Sequence, residues 1–140
     1  MLRNVLRNML RNIFRKKPAT LTGAPAIRRL KSYAARSGYV YQYYYEGHRT
    51  FSSGESGTEF VFTLSADRQS FHPVSVFLAA SALSPWEEAH AHPLGSTERY
   101  AIAKMALFQA FDERDHPAGM KLGVHVRPAD VEAFIETLGL

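Results

Sequence analysis

The densest cluster of side chains that could do chemistry is residues 87–92, with two glutamates and two histidines. Carboxylates and imidazoles are common ligands of zinc and other transition metals. On a helix, Glu88 and His92 share a face one turn apart and could form one edge of a metal site. His90 and His92 point in different directions, and no other ligand set accompanies them. A polar helix end is the better interpretation, and we predict no metal site.

A second chemical candidate is Gly54-Glu55-Ser56-Gly57, which resembles the glycine-flanked serine of the hydrolase nucleophile elbow. The run is one residue short of that motif. It also lies in the polar, glycine-rich residues 51–58, which predict a flexible connection rather than a strand-to-helix turn. No phosphate-binding loop, dinucleotide fingerprint, zincin helix or calcium loop occurs. The sequence therefore predicts no catalytic residues, no cofactor and a protein that is not an enzyme.

The strongest signal is a separation of charge along the chain. The first acidic residue is Glu46, and ten basic residues precede it. Of 17 basic and 13 acidic residues, seven basic and all 13 acidic ones remain beyond residue 45, so the two segments carry +10 and −6. This asymmetry predicts an anionic partner for the basic end. The residues predicted to contact that anion are Arg3, Arg7, Arg11, Arg15, Lys16, Lys17, Arg28, Arg29, Lys31 and Arg36.

Residues 2–13 repeat three times a four-residue unit of leucine, arginine, asparagine and a second apolar residue, and Phe14-Arg15-Lys16-Lys17 follows. Because a helix turns every 3.6 residues, the apolar side chains gather on one side and the polar ones on the other. Pro18 ends the element. We predict a basic amphipathic helix over 1–18, a linker over 19–24 and a single domain over 25–140. The apolar face offered to a partner or membrane is Leu2, Val5, Leu6, Met9, Leu10, Ile13 and Phe14.

An isolated helix of this length is marginal in water and needs a supporting surface. Its apolar face could pack on its own domain or on a second copy of the chain. It could lie in the plane of an anionic membrane, where each nearby cation adds about 1 kcal/mol. It could also enter an acidic protein groove or meet nucleic acid. We expect a non-enzymatic binding or accessory protein that engages an anionic membrane surface or a partner subunit.

The remaining residues predict an α+β domain, with a three- to four-stranded, mainly antiparallel sheet covered by helices on one face. Apolar alternation predicts strands, and 3.6-residue periodicity with proline and glycine boundaries predicts helices. Phe60, Phe62 and Leu64 should face the core, and Leu122, Val124 and Val126 should point inward from the fourth strand. The predicted strands are 39–45, 59–64, 71–78 and 121–127, and the predicted helices are 25–38, 84–92, 97–113 and 128–139.

Four tyrosines share one face of the first predicted strand because strand side chains alternate. Such a face could stack nucleic-acid bases. Tyrosines are also good strand formers whose rings fill the space under a helix, and we favour that interpretation. Nucleic-acid binding is the alternative function, with phosphates contacted by Arg28, Arg29, Lys31, Arg36, Lys121 and Arg127. The aromatic face consists of Tyr39, Tyr41, Tyr43 and Tyr45.

The absence of cysteine excludes a disulfide framework and agrees with a reducing compartment. No apolar run approaches the roughly 20 residues of a membrane span. The arginine-rich start has the general character of a mitochondrial transit peptide, but asparagine replaces the usual serine. We expect a cytoplasmic protein that is at most peripherally bound to a membrane.

Overall fold

The computed structural model of the chain describes residues 19–140, so the predicted helix over 1–18 and both of its faces lie outside the described residues. The described part is an α+β domain with a single sheet. Its strands are β1 (Lys31–Ala34), β2 (Val40–Ser53), β3 (Glu55–Ser65), β4 (His72–Ala79) and β5 (Val124–His125). Its helices are α1 (Ala80–His90), α2 (Ser96–Glu113), α3 (Pro128–Leu138) and a 3-10 helix (Pro117–Leu122).

The sheet has five strands in the described residues, not three to four, and their spatial order follows the chain from β1 to β5. The first three contacts between neighbouring strands are antiparallel. The last is parallel, and there Val76 and Phe77 of β4 face Val124 and His125 of β5. The α+β class is therefore confirmed, and the sheet is mixed.

The centre of the sheet is a long hairpin of β2 and β3. Phe60, Phe62 and Leu64 alternate into the core as predicted. Residues 51–58 do not form the predicted flexible connection, because β2 continues to Ser53 and β3 begins at Glu55. Gly54 makes this tight reversal with a φ of +78°, a conformation that L side chains rarely adopt.

The predicted helix over 25–38 is wrong. Residues 25–30 form no helix, and β1 pairs with β2 so that Tyr33 faces Tyr41. The Tyr33 ring stacks on Phe108 with centroids 4.4 Å apart, and its hydroxyl donates to Asp112 at 2.7 Å. These long-range contacts and the strand pairing outweigh a local helix signal, which is weak in so short a segment.

Helix α1 begins at Ala80, four residues before the predicted start at Ser84. Pro85 therefore lies inside the helix, and the Ser84 hydroxyl donates to the carbonyl of Ala80 instead of capping the helix. The chain passes directly from β4 into α1, which buries Ala82 and Leu83 in the core. Burial of these side chains extends the helix beyond the boundary that proline indicated.

The predicted strand over 121–127 is reduced to the two residues of β5. Val124 and Val126 are buried as predicted, but the side chain of Leu122 is 82% exposed. The guanidinium of Arg114 donates to the carbonyls of Gly119 and Gly123, at 2.9 and 2.7 Å. These bonds hold the preceding residues in a 3-10 helix, which alternation in the sequence could not reveal.

Two helices agree with their predictions. Helix α2, predicted over 97–113, buries Ile102, Leu107 and Phe111 completely. Helix α3 starts at Pro128 and buries Val131, Phe134 and Ile135. It ends at Leu138 and is followed by Gly139, which has the expected left-handed conformation with a φ of +71°.

The turn between β3 and β4 generates a prediction about pH. One carboxylate oxygen of Asp67 accepts hydrogen bonds from Gln69 N–H, Ser70 N–H and the Ser65 hydroxyl, which lowers the pKa of Asp67 to about 2. Because the folded pKa is depressed, the stabilisation is complete above the ordinary aspartate pKa of about 4 and is lost as pH falls towards 2. Asp67→Ala should lower the free energy of unfolding at pH 7, and that difference should shrink between about pH 4 and pH 2. Urea unfolding of both proteins across this range measures it, and a difference independent of pH would contradict it.

Candidate functional site

The segment before β1 runs along the edge of β2 but touches it at two separated places. Thr22 and His48 exchange both backbone hydrogen bonds at 2.8 Å, and Lys31 pairs with Tyr43. Between these contacts, eight residues of the segment (23–30) face only four residues of β2 (44–47). The surplus chain must bow outwards, and we call residues 23–30 the bowed segment.

The His48 side chain fixes one end of the bowed segment. Burial raises the pKa of Tyr45 to about 12, so its hydroxyl remains a hydrogen-bond donor at neutral pH. That hydroxyl lies 3.2 Å from Nδ1 of His48, and the opposite ring nitrogen, Nε2, lies 3.3 Å from Oγ1 of Thr22. If Nδ1 accepts from Tyr45, then Nε2 carries the proton and donates to Thr22. Both ring nitrogens are thereby occupied.

Between the bowed segment, the sheet and the first turns of α2 lies a cavity of about 860 Å³. We call it the basic pocket, because cations line it on more than one side. Part of its apolar surface comes from aromatic rings, and the ring centroids of Tyr45 and Tyr100 lie 4.7 Å apart. The aromatic lining residues are Tyr43, Tyr45, Phe60 and Tyr100, and hydroxyl groups come from Thr50, Thr58, Ser96 and Thr97.

No aspartate or glutamate lines the basic pocket within the described residues. Arg29 and Lys31 line it from the bowed segment and β1, and Arg99 lines it from α2. None of these three forms an ion pair with a described residue, and residues 1–18 contain no carboxylate side chain that could supply one. The pocket therefore carries cationic side chains whose charge is not balanced by a protein partner.

Two neighbouring arginines differ in this respect. Arg49 also contributes to the lining, but its guanidinium donates to both oxygens of Glu59, at 2.9 and 3.0 Å. These bonds lower the pKa of Glu59, and Ser75 donates to the same carboxylate. Arg28 pairs with Glu46 and lies over the ring of Tyr44. Arg28 and Arg49 are therefore paired with carboxylates, whereas Arg29, Lys31 and Arg99 form no such pair within the described residues.

A further cation lies next to the pocket without lining it. The ammonium of Lys104 lies 6.0 Å from the ring centroid of Tyr43 and 5.7 Å from that of Phe108. Burial lowers the pKa of Lys104, and the adjacent positive charge of Lys31 lowers it further. The proximity of two lysines indicates a positive potential at this end of the pocket. The first turn of α2 adds the positive end of a helix dipole.

The structure brings together only part of the predicted anion-contacting set. Arg29 and Lys31 line the pocket, whereas Arg28 is paired with Glu46. Arg36 lies in the turn between β1 and β2, where its backbone N–H donates to Asp112. The residues of this set outside the described part of the chain are Arg3, Arg7, Arg11, Arg15, Lys16 and Lys17.

The predicted aromatic face is divided between the core and the pocket. Tyr41 is 1% exposed and stacks on Phe111 with centroids 4.1 Å apart. Tyr43 and Tyr45 combine core packing with pocket lining. Tyr39 packs partly buried near Tyr41. The rings therefore do not form one open surface.

The acidic and histidine-rich residues 87–92 have local structural roles. The Glu87 carboxylate accepts the N–H of Leu94, and the ring of His90 stacks on Trp86 with centroids 4.2 Å apart. His92 lies 3.9 Å from Glu98. Residues 19–140 contain no group of three or more histidine, cysteine or acidic side chains placed to hold a metal ion.

Sequence reasoning missed Arg99, His48 and Phe60 as pocket residues. Arg99 carried a weak signal, because an arginine in the first turn of a helix opposes the dipole that an acidic residue would complement. His48 and Phe60 carried none, since nothing in the sequence indicates that β2 and β3 lie beside the bowed segment and α2. Their placement depends on the pairing of β2 with β3.

Comparison with protein-family models, curated proteins and solved structures finds no match for this chain. Among residues 19–140, none of the helices combines the length and apolar character needed to cross a bilayer. The function must therefore be inferred from the residues of the pocket and the bowed segment.

A substitution at Gly23 tests whether the His48 side chain holds the bowed segment in place. A Cβ at Gly23 would lie 2.5 Å from Cε1 of His48, whereas one at Gly54 would meet nothing within 4 Å. Their φ angles are similar, +72° and +78°, so alanine imposes similar backbone strain at both positions. Gly23→Ala should displace the His48 ring and cost about 1–2 kcal/mol more than Gly54→Ala, because two hydrogen bonds are lost. Urea unfolding measures both, and equal losses would show that the ring is not held.

Proposed function

We propose that this protein is a non-enzymatic binding protein that uses its basic N-terminal region to engage an anionic membrane surface. The observation that carries the proposal is the group of cations Arg29, Lys31 and Arg99, which line one pocket without a carboxylate partner in the described residues. The bowed segment leads back along the chain to residues 1–18, which contain six further cations and no acid. Both parts favour an anionic partner.

The composition of the bowed segment favours a membrane over a purely polar anion. Ile27 is 69% exposed and Leu30 is 44% exposed, and they flank Arg28 and Arg29. Exposed apolar side chains among cations suit the interface of an anionic bilayer, where the apolar groups enter the acyl boundary and the cations meet lipid head groups. The amphipathic helix predicted over residues 1–18 has the same combination of apolar side chains and cations.

A binding role is also supported by the chemistry of the pocket. His48 is the imidazole in the lining, and its two ring nitrogens are engaged by Tyr45 and Thr22. It is therefore poorly placed to act as a general base for Thr50, Thr58 or Ser96. A partner protein subunit with an acidic, apolar groove is the other occupant that the basic region suits.

Nucleic acid is a weaker alternative. Base stacking needs exposed aromatic faces, and Tyr41 is buried against Phe111 while Tyr43 packs against Phe108. The cations Lys121 and Arg127 do not line the basic pocket, and Arg127 is paired with Asp130. Duplex or single-stranded nucleic acid can be added as a competitor of the vesicles in a flotation experiment.

Vesicle flotation tests the membrane proposal with the full chain. Vesicles of phosphatidylcholine containing phosphatidylserine should capture the protein, and phosphatidylcholine alone should not. Arg7→Gln with Arg11→Gln should weaken capture roughly thirtyfold, because each cation near an anionic surface contributes about 1 kcal/mol. Arg68→Gln with Lys121→Gln removes the same charge from exposed positions outside the basic region and is the matched control.

Two outcomes would contradict the proposal. Failure of the unaltered chain to float with phosphatidylserine vesicles at low salt would exclude an anionic membrane as the partner. Equal weakening by the two double variants would show that only net charge matters. Retention of the protein by nucleic acid in preference to vesicles would favour the alternative.

A further inference from the structure

We propose that the basic pocket binds one small amphiphilic anion, a molecule with an aromatic or alkyl body and a carboxylate, sulfonate or phosphate head group. The proposal goes beyond membrane engagement, because it concerns a molecule free in solution that enters a cavity. It would hold for a protein that never contacts a bilayer.

The size of the cavity suits such a molecule. Small-molecule sites commonly enclose about 300–1,000 Å³ and combine apolar walls with a few polar groups. The basic pocket has about 860 Å³ and is lined by four aromatic side chains. Burial raises the pKa of Tyr43, Tyr45 and Tyr100, so these side chains stay neutral. Neutral aromatic walls accept an apolar body.

The charges select an anionic head group. Arg29, Lys31 and Arg99 come from three different elements of the chain, namely the bowed segment, β1 and α2. Lys104 is a fourth basic side chain, and its burial and its proximity to Lys31 lower its pKa. Repulsion among these groups is uncompensated by any described carboxylate in the pocket lining. A bound anion would remove it and would gain charge-assisted hydrogen bonds.

The arrangement also explains the tethering of the bowed segment. The segment is held at Thr22 by His48 and at Lys31 by Tyr43, so its cations stay opposite Arg99. A wall fixed at both ends holds Arg29 near the cavity before any ligand arrives. Preorganisation of this kind reduces the entropy lost on binding.

The test uses two fluorescent probes that differ in charge. 8-Anilinonaphthalene-1-sulfonate has an aromatic body and a sulfonate, and N-phenyl-1-naphthylamine has the same body without the charge. The sulfonate should bind the full chain at least tenfold more tightly, because a hydrogen bond to a charged group contributes on the order of a tenfold change in affinity. Equal affinities, or no binding of the sulfonate, would overturn the proposal.

Variants of the lining residues test whether the sulfonate probe binds in the basic pocket. Arg99→Gln and Lys31→Gln should each weaken sulfonate binding about tenfold and leave the neutral probe nearly unchanged. Arg68→Gln and Lys121→Gln are matched controls, because both cations are exposed and neither lines the pocket. Thr50→Trp should fill the cavity and abolish binding of both probes, with circular dichroism confirming the fold. Weakening by the controls as large as by the pocket variants would place the probe elsewhere and overturn the proposal.

Competition separates the two parts of the ligand. Dodecyl phosphate should displace the bound sulfonate at concentrations at least tenfold below those required of inorganic phosphate, because only the former has an apolar body. Displacement by both compounds at the same concentration would show a simple anion site. That result would overturn the proposed amphiphile.

Discussion

The stacking of helix α2 on the sheet is the interaction on which the rest of the structure depends. Phe111 lies parallel to Tyr41 with ring centroids 4.1 Å apart, and Phe108 stacks in the same way on Tyr33. The first contact fixes α2 across β2, and the second holds the edge strand β1 against the helix. Since β1 ends the bowed segment and α2 carries Arg99, these two contacts position opposite walls of the basic pocket. The pocket is therefore a consequence of core packing.

Electrostatics impose a second constraint, which acts on the arginines. A partly buried arginine needs a carboxylate or carbonyl partner, since an unpaired charge is costly to remove from water. Arg49 meets this need with Glu59, and Arg114 meets it with the carbonyls of Gly119 and Gly123. Arg29, Lys31 and Arg99 of the basic pocket have no such partner among the described residues. The presence or absence of such a partner distinguishes the arginines that stabilise the fold from the cations that are available to bind an anion.

The segment that leads into β1 shows how local and long-range preferences compete. Its proline, glycine and apolar spacing predicted a helix, yet pairing of Lys31–Ala34 with β2 produced a strand. An isolated helix of this length has little stability of its own, whereas one sheet edge offers hydrogen bonds and aromatic contacts together. The same competition moved the start of α1 to Ala80, where Ala82 and Leu83 enter the core. The predicted helix boundaries were wrong where the burial of side chains stabilised the structure more than helix capping did.

The sequence by itself determined the α+β class, the two strands at the sheet centre, helices α2 and α3, and the concentration of cations before residue 46. These features follow from periodicity and composition, which are local properties that the chain carries in any conformation. Only the tertiary structure decided that Arg29 and Lys31 face Arg99, and that Tyr41 is buried while Tyr45 lines a cavity. Residues 31, 45 and 99 meet because strand pairing and aromatic stacking join distant segments. The spacing of these three residues in the sequence does not indicate that they are close in space.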